Sequence, residues 1–263
     1  MAELRATILG CGSSGGVPRI GGLWGSCDPK NPKNRRLRCS MLLEQTGENG
    51  TTRVLIDTSP DMREQLLTAN VPDLDAVVYT HAHADHTHGL DDLRMIAINN
   101  EKRMNVWADV PTQTDLMARF HYVFATPAGS NYPPICDMHT IDGHVKISGA
   151  GGDITLTPLP VQHGRITALG FKIGGLAYVP DVSEIPEATW EMLMGLDIWV
   201  LDALRYKPHP SHVHFERALE WIERAKPARA VLTNMHIDLD YDIVNAETPK
   251  NVTPAFDGME IFT

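Results

Sequence analysis

The chain has 263 residues, with 43% hydrophobic and 21% charged residues, and a formal net charge of −10 when its histidines are neutral. This charge disfavours general affinity for nucleic acid. The N-terminal residues show no signal-peptide pattern and no apolar run reaches about 18 residues, so neither export nor a membrane span is predicted. The four cysteines form no Cys-x-x-Cys pair, which favours free thiols in a reducing cytoplasm.

The first predicted strand, residues 5–9, leads into a glycine-rich segment at Gly10–Pro18. This segment lacks the Lys-Ser/Thr of a phosphate-binding P-loop, so a sharp loop beside a site is the favoured interpretation. The irregular residues 19–38 that follow are basic. Such a run usually forms a solvated face, but in an acidic protein it also has the charge to attract an anionic substrate, with Arg35 and Arg36 as candidate contacts.

A β-hairpin is predicted over residues 39–57, and a short helix over residues 60–69 follows. Asp57 ends the apolar second strand of the hairpin. Its carboxylate is expected either to cap a helix or to orient a metal-bound histidine. The next apolar run, residues 74–80, predicts a buried strand.

A histidine-rich segment follows this strand directly and contains His81, His83, Asp85, His86 and His88. Imidazole and carboxylate together suit zinc, manganese or iron. The order His-x-His-x-Asp-His favours two neighbouring ions. A single structural zinc is the alternative, but such sites mostly use cysteine, and none lies here. A loop without metal is the other alternative.

Downstream of the histidines, helices are predicted from residue 90 and at 111–124, with a strand at 105–108 between them. Residues 125–150 are rich in glycine, proline and polar residues, which predicts a long loop and a candidate lid. A strand at 153–159 follows.

Two further candidate ligands occur where later strands stop. His163 follows the strand at 153–159, and Asp181 follows a predicted hairpin at 169–179. Ser183 is the expected cap of the next helix, which runs to residue 192.

The last third of the chain places one more histidine before a helix. After a strand at 197–201, His212 precedes an amphipathic helix predicted at 213–225, and a strand at 230–232 leads to a final histidine, His236. No linker divides the chain, so residues 1–263 are interpreted as a single domain.

The ordered ligand set resembles that of the metallo-β-lactamase superfamily across nearly the whole chain. The resemblance implies an α/β fold, a four-layer αββα sandwich, and a site for two divalent ions, zinc or manganese. In the assignment that it implies, one ion is held by His81, His83 and His163, the other by Asp85, His86 and His236, and Asp181 bridges them.

A narrower set of motifs resembles the phosphoribosyl cyclic phosphodiesterase branch. These motifs are Gly10–Pro18, Asn34–Arg36, Cys39-Ser40 and Phe256–Glu260. In that branch a histidine at the place of His212 assists phosphodiester cleavage. The catalytic residues that the resemblance implies are therefore His212 and Asp85.

The chain departs from the branch at two places. Only Cys27 remains of a cysteine cluster that holds a structural zinc there, so that zinc is not expected. The last ligand motif usually reads Thr-His, whereas this chain has Thr233-Asn234-Met235-His236. We expect His236 to be the ligand and Asn234 to form hydrogen bonds beside it.

The predicted function is therefore a metal-dependent phosphodiesterase that hydrolyses a small cyclic phosphate or nucleotide-like diester by a metal-bound hydroxide. The alternatives are a thioester or lactone hydrolase, and a non-catalytic binding protein similar to the family member of pyrroloquinoline quinone synthesis. The expected partner is a small phosphorylated substrate, with no extended nucleic acid and no membrane. A homodimer is a candidate assembly, and the expected location is the cytoplasm.

Overall fold

The computed structural model describes residues 4–263. Its strands are β1 (Leu4–Gly10), β2 (Ser40–Gly47), β3 (Gly50–Ile56), β4 (Ala76–Val78), β5 (Met104–Ala108), β6 (Cys136–Thr140), β7 (Val145–Gly149), β8 (Gly152–His163), β9 (Ile166–Ile173), β10 (Leu176–Val179), β11 (Ile198–Asp202), β12 (Arg229–Thr233), β13 (Val252–Pro254) and β14 (Met259–Phe262). Its helices are α1 (Met62–Thr68), α2 (Ala84–Thr87), α3 (Leu93–Asn99), α4 (Val110–Phe124), α5 (Glu187–Leu193), α6 (Phe215–Ala225) and α7 (Tyr241–Glu247). Within residues 4–263, every helix is too short or too polar to span a bilayer.

The strands form two seven-stranded mixed sheets, in the orders β14-β1-β2-β3-β4-β5-β6 and β13-β12-β11-β10-β9-β8-β7. In the first sheet, β2 and β3 pair antiparallel, and β3 to β6 pair in parallel. In the second, β7 to β10 are antiparallel and β10 to β13 are parallel. The parallel strands β4 and β11 are buried along their whole length, which explains why they are apolar without alternation, except for Asp202 at the end of β11.

The contacts within the chain divide it into two compact units, each built from separate segments. Of the described residues, unit 1 contains 4–7, Ser40–Leu156 and Glu260–Phe262, whereas unit 2 contains Ile8–Cys39, Thr157–Met259 and Thr263. Each unit has its own buried apolar core. Fully buried members include Leu43, Leu55, Val77 and Val106 in unit 1, and Phe171, Trp199, Val200 and Leu232 in unit 2.

The long loop predicted at residues 125–150 is wrong, because this stretch contains β6 and β7. In β7, Val145 and Ile147 are buried while Lys146 and Ser148 are exposed, the alternation of a strand with one face covered. The glycines and prolines that favoured a loop mostly lie before β6 and between the two strands.

Strand β8 extends beyond its predicted end, through two prolines, to His163. Its pairing with β7 stops at Leu156, so Pro158 and Pro160 have a neighbouring strand on one side only. A proline on the open side of a strand breaks no ladder hydrogen bond. The extension carries His163 to the very end of β8.

Two helices begin later than predicted. Helix α6 starts at Phe215 rather than residue 213. Helix α5 starts at Glu187, and Ser183 does not cap it. The Ser183 hydroxyl instead donates to the Gln162 carbonyl and accepts from the Gly164 amide, both at 3.0 Å. Ser183 therefore stabilises the turn after His163.

Arg36 is a structural residue of unit 2, not the substrate contact proposed from the sequence. It is 1% exposed, and its guanidinium donates to the carbonyls of Leu239 at 2.7 Å and His236 at 3.4 Å. It also donates to the Asn34 side chain at 3.3 Å. Arg36 thus joins the basic loop, residues 19–38, to the segment after β12. Its neighbour Arg35 is exposed.

We expect Arg36→Lys to lower the free energy of unfolding by about 2–3 kcal/mol, because each buried polar group that loses its partner costs about 1–3 kcal/mol. The matched control Arg35→Lys, at an exposed position, should stay within about 0.5 kcal/mol of wild type. Urea unfolding followed by circular dichroism measures both. Equal stability of the two variants would contradict the structural role of Arg36.

Candidate metal centre

In unit 1, the histidine segment begins just after β4 and runs into the one-turn helix α2. His83 precedes α2, and Asp85 and His86 lie within it. The ring centroid of His81 lies 4.5 Å from that of His83 and 4.4 Å from that of His86. Three predicted ligands therefore form one cluster within this unit.

The buried carboxylate of Asp57 orients two of these histidines. Asp57 follows β3 with a φ of 64°, is fully buried, and accepts hydrogen bonds from the Thr80 amide at 2.8 Å and hydroxyl at 2.7 Å. Its Oδ2 lies 2.7 Å from Nδ1 of His86. Burial raises the pKa of the Asp57 carboxyl, and the hydrogen bonds and His86 act in the opposite direction. His86 is thus held through Nδ1.

The Thr80 hydroxyl extends this control to His81. Because it donates its single proton to Asp57, it accepts from Nδ1 of His81, 2.9 Å away. Both His81 and His86 then carry a proton on Nδ1 and present Nε2 as the nitrogen with a lone pair. This is the tautomer that a metal-binding imidazole needs when its other nitrogen is fixed by a hydrogen bond.

The donor atoms of unit 1 fit a divalent transition metal. Nε2 of His86 lies 3.6 Å from Oδ2 of Asp85. In the tautomer fixed by Asp57, these two atoms face each other with lone pairs, an arrangement that a cation between them stabilises. Imidazole nitrogen with carboxylate oxygen suits zinc, manganese or iron.

His88 stays outside the cluster, although it belongs to the same sequence segment. It is exposed, and its ring packs edge-on against Phe120 with centroids 5.5 Å apart. The next residue, Gly89, passes so close to Ser59 that a Cβ there would lie 2.2 Å from the Ser59 carbonyl oxygen. Glycine at this position lets the segment turn away after α2.

In unit 2, a second cluster forms where β8, β10 and β11 end. The candidate ligand atoms of His163, Asp181 and His212 all lie within 4.8 Å of one another. His163 Nδ1 donates to the Ser211 carbonyl at 2.6 Å, so Nε2 is the lone-pair nitrogen of this ring as well. The cluster thus offers imidazole and carboxylate, the donor set that unit 1 offers.

His212 is held by an aspartate that the sequence analysis missed. Its Nδ1 lies 2.8 Å from Oδ2 of Asp202, which is fully buried and also accepts from the Val182 amide at 3.1 Å. Burial raises the pKa of the Asp202 carboxyl to about 7, against the lowering effect of His212. The sequence signal for Asp202 was its position at the end of an apolar strand, a position that Asp57 shares.

The final motif separates into two differently placed side chains. Asn234, at a φ of 60°, donates to Oδ1 of Asp181 at 2.9 Å and to the Pro180 carbonyl at 3.0 Å. His236 lies elsewhere: its Nδ1 is 2.5 Å from Oδ1 of Asp238, and its Nε2 contacts the Arg19 guanidinium. The structure therefore groups Asn234, and not His236, with Asp181.

Comparison with known proteins identifies the family and the fold of this chain. Residues 52–237 match the model of the Beta-lactamase superfamily domain. A solved structure described as a new diphosphatase from the PhnP family is 36% identical, with a TM-score of 0.85, and the match covers 98% of this chain and 97% of that one. Zinc-bound PqqB from Methylobacterium extorquens is 18% identical with a TM-score of 0.70, over 98% and 99% of the two chains, which shows a common fold.

A curated relative is longer than this chain. A protein named octanoyltransferase from Porphyromonas gingivalis is 34% identical over 262 residues, which is 98% of this chain. The chain spans about half of that relative, 51% of its length.

We expect Asp57→Asn to weaken zinc affinity by roughly 10–100-fold, the usual effect of removing a group that orients a metal-bound histidine. Asparagine tolerates the left-handed backbone of position 57, so the fold is kept. Competition with a chromogenic chelator measures affinity, and circular dichroism checks folding. The exposed Asp92→Asn is the matched control. An affinity equal to that of the control would remove Asp57 from this role.

Proposed function

Since the chain belongs to the metallo-β-lactamase superfamily and to its PhnP-like branch, we propose that it is a metal-dependent phosphodiesterase for a small cyclic phosphate or nucleotide-like diester. The predicted α/β fold class is confirmed by the family match and the two mixed sheets. The observation that carries the proposed reaction is the contact of the His212 imidazole with the buried Asp202 carboxylate, at 2.8 Å.

The residues that would hold the metal are the imidazoles and carboxylates of the two clusters other than His212, which is the proposed proton donor. They are His81, His83, Asp85, His86, His163 and Asp181. A divalent ion supplies a Lewis acid for a phosphoryl oxygen and lowers the pKa of water, which serves phosphodiester hydrolysis near neutral pH.

His212 donates a proton to the leaving alkoxide in this proposal. Asp202 fixes Nδ1 of His212 as a donor, so Nε2 is the nitrogen that gives up the transferred proton. The carboxylate of Asp202 also stabilises the imidazolium form, as the aspartate does in a Ser-His-Asp triad. His212 is 15% exposed, which is compatible with access to substrate.

Acyl chemistry is the principal rival, and the name of the Porphyromonas gingivalis relative raises it directly. Burial raises the pKa of all four cysteine thiols in this chain, so none is suited to act as a thiolate nucleophile for acyl transfer. A thioester hydrolase releases a thiolate, which leaves without a proton donor and gives the Asp202–His212 pair no function. Both considerations favour the phosphodiester.

A binding function without catalysis is the second rival, raised by the likeness to PqqB. The ordered tautomers of His81, His86 and His163 support a working metal site, because fixed Nδ1 donors leave each Nε2 as a ligand. A panel of phosphodiesters, phosphomonoesters, thioesters and lactones separates the three functions. Preferential turnover of thioesters, or no turnover of any ester, would contradict our proposal.

We expect His212→Ala to lower kcat by roughly 10²–10⁴-fold on diesters with alkyl leaving groups, the usual contribution of a general acid. A nitrophenyl diester should lose much less, because nitrophenolate barely needs a proton. Steady-state kinetics on the two substrates give the comparison.

The metal content of the variant shows whether His212 is a proton donor or a metal ligand. His212→Ala should bind as much metal as wild type, measured by elemental analysis after dialysis. The loss of one equivalent, or equal losses of rate on both substrates, would show that His212 is not the proton donor.

We expect two equivalents of zinc or manganese per chain, because the proposed ligands outnumber the positions of one tetrahedral ion. Chelator treatment should abolish activity, and stepwise metal addition should restore it fully only near the second equivalent. Full activity at one equivalent would contradict a dinuclear site.

A further inference from the structure

We propose that Arg19 binds a phosphate oxygen of the substrate, and that His236 and Asp238 position Arg19 instead of holding metal. This inference rests on the proposed function in taking a phosphate ester as substrate. Arg19 takes the place of Arg35 and Arg36 as the proposed phosphate contact. His236 is no longer assigned as a metal ligand.

The three side chains form a directed chain of hydrogen bonds in unit 2. Nδ1 of His236 donates to the Asp238 carboxylate at 2.5 Å, so Nε2 carries the lone pair. That nitrogen accepts from the Arg19 guanidinium. A ring nitrogen already occupied by an arginine donor does not suit a metal ligand.

The backbone around Arg19 holds the residue in one place. Arg19 and Leu23 exchange backbone hydrogen bonds of 3.0 and 3.2 Å, which close a tight turn. Gly15 lies beneath the side chain, and a Cβ there would come within 3.1 Å of Nε of Arg19. The missing side chain at Gly15 therefore leaves the room that the guanidinium occupies.

The backbone brings Arg19 toward the residues of the proposed reaction. Met235 accepts from Ser13 and donates to Cys11, at 3.3 and 2.8 Å, so the glycine-rich segment lies beside the final motif. Asn234 and His236 flank Met235 on either side. Asn234 contacts both Asp181 and His212, at 2.9 and 3.2 Å.

His209 provides a second link to the reaction centre. Its ring centroid lies 5.2 Å from that of His212. The pKa of His209 is lowered first by burial and then by neighbours that include His212 and His236. His209 therefore lies beside the proposed proton donor, and the charge of His236 acts on it.

The Arg19 guanidinium retains the capacity to bind an anion. It has five N–H donors in a planar fork, and His236 is its one side-chain partner among the hydrogen bonds and ion pairs found for residues 4–263. Arg19 is partly exposed. A guanidinium that is held at one side and open at the other is suited to bidentate binding of phosphate.

The experiment compares variants of the metal-loaded full chain by three readouts: metal content, binding of inorganic phosphate by calorimetry, and steady-state kinetics on bis(p-nitrophenyl) phosphate. Arg19→Met should weaken phosphate binding and raise KM by about tenfold to a hundredfold, the range for a lost charge-assisted hydrogen bond, with a smaller change in kcat. Arg63→Met, an exposed arginine on α1, is the matched control and should match wild type.

Two substitutions of His236 separate positioning from metal binding. Glutamine keeps an acceptor for Arg19 but is a poor ligand for zinc, whereas alanine removes the acceptor. We expect His236→Gln to retain both metal and phosphate affinity, and His236→Ala and Asp238→Asn to retain metal while their KM rises.

The outcomes distinguish this inference from the proposed function. Loss of one metal equivalent in His236→Ala, or unchanged phosphate affinity in Arg19→Met, would overturn the inference even when the wild type cleaves diesters. Phosphate binding that depends on Arg19 would support it even when no diester is cleaved, in which case only the proposed reaction fails.

Discussion

The buried carboxylate of Asp57 is the constraint on which the histidine cluster of unit 1 depends. It accepts from Thr80 and contacts His86 directly, and through the Thr80 hydroxyl it also sets the tautomer of His81. Burying a carboxylate is unfavourable unless hydrogen bonds compensate. The same bonds that compensate for burial at Asp57 therefore leave the lone pair of two imidazoles on Nε2.

In unit 2, different hydrogen-bond acceptors fix the tautomers of two further histidines. The Ser211 carbonyl fixes Nδ1 of His163, and the Asp202 carboxylate fixes Nδ1 of His212. In both units an acceptor placed at a strand end or in the following loop decides which ring nitrogen carries the proton. Groups held in this way need little rearrangement when substrate arrives, which is how enzymes stabilise developing charge most effectively.

The arginines of the basic loop differ in burial, and this difference decides which of them can contact a substrate. Arg36 is enclosed by backbone carbonyls and joins two loops, Arg35 faces solvent, and Arg19 stands partly exposed against His236. A guanidinium that is almost completely buried, as that of Arg36 is, cannot reach substrate. A guanidinium that is partly exposed and has donors left, as that of Arg19 has, can bind an anion.

The family, the α/β class and most strands and helices could be predicted from the sequence, because apolar periodicity and the His-x-His-x-Asp-His order are local properties of the chain. The prediction was wrong at residues 125–150, where strands β6 and β7 gain their stability from pairing with β5 and β8. The contact of Asp202 with His212, the burial of Arg36 and the contact of His236 with Arg19 are seen only in the folded chain. These contacts join residues of separate elements, and strand order, register and loop path, which no local pattern encodes, bring them together.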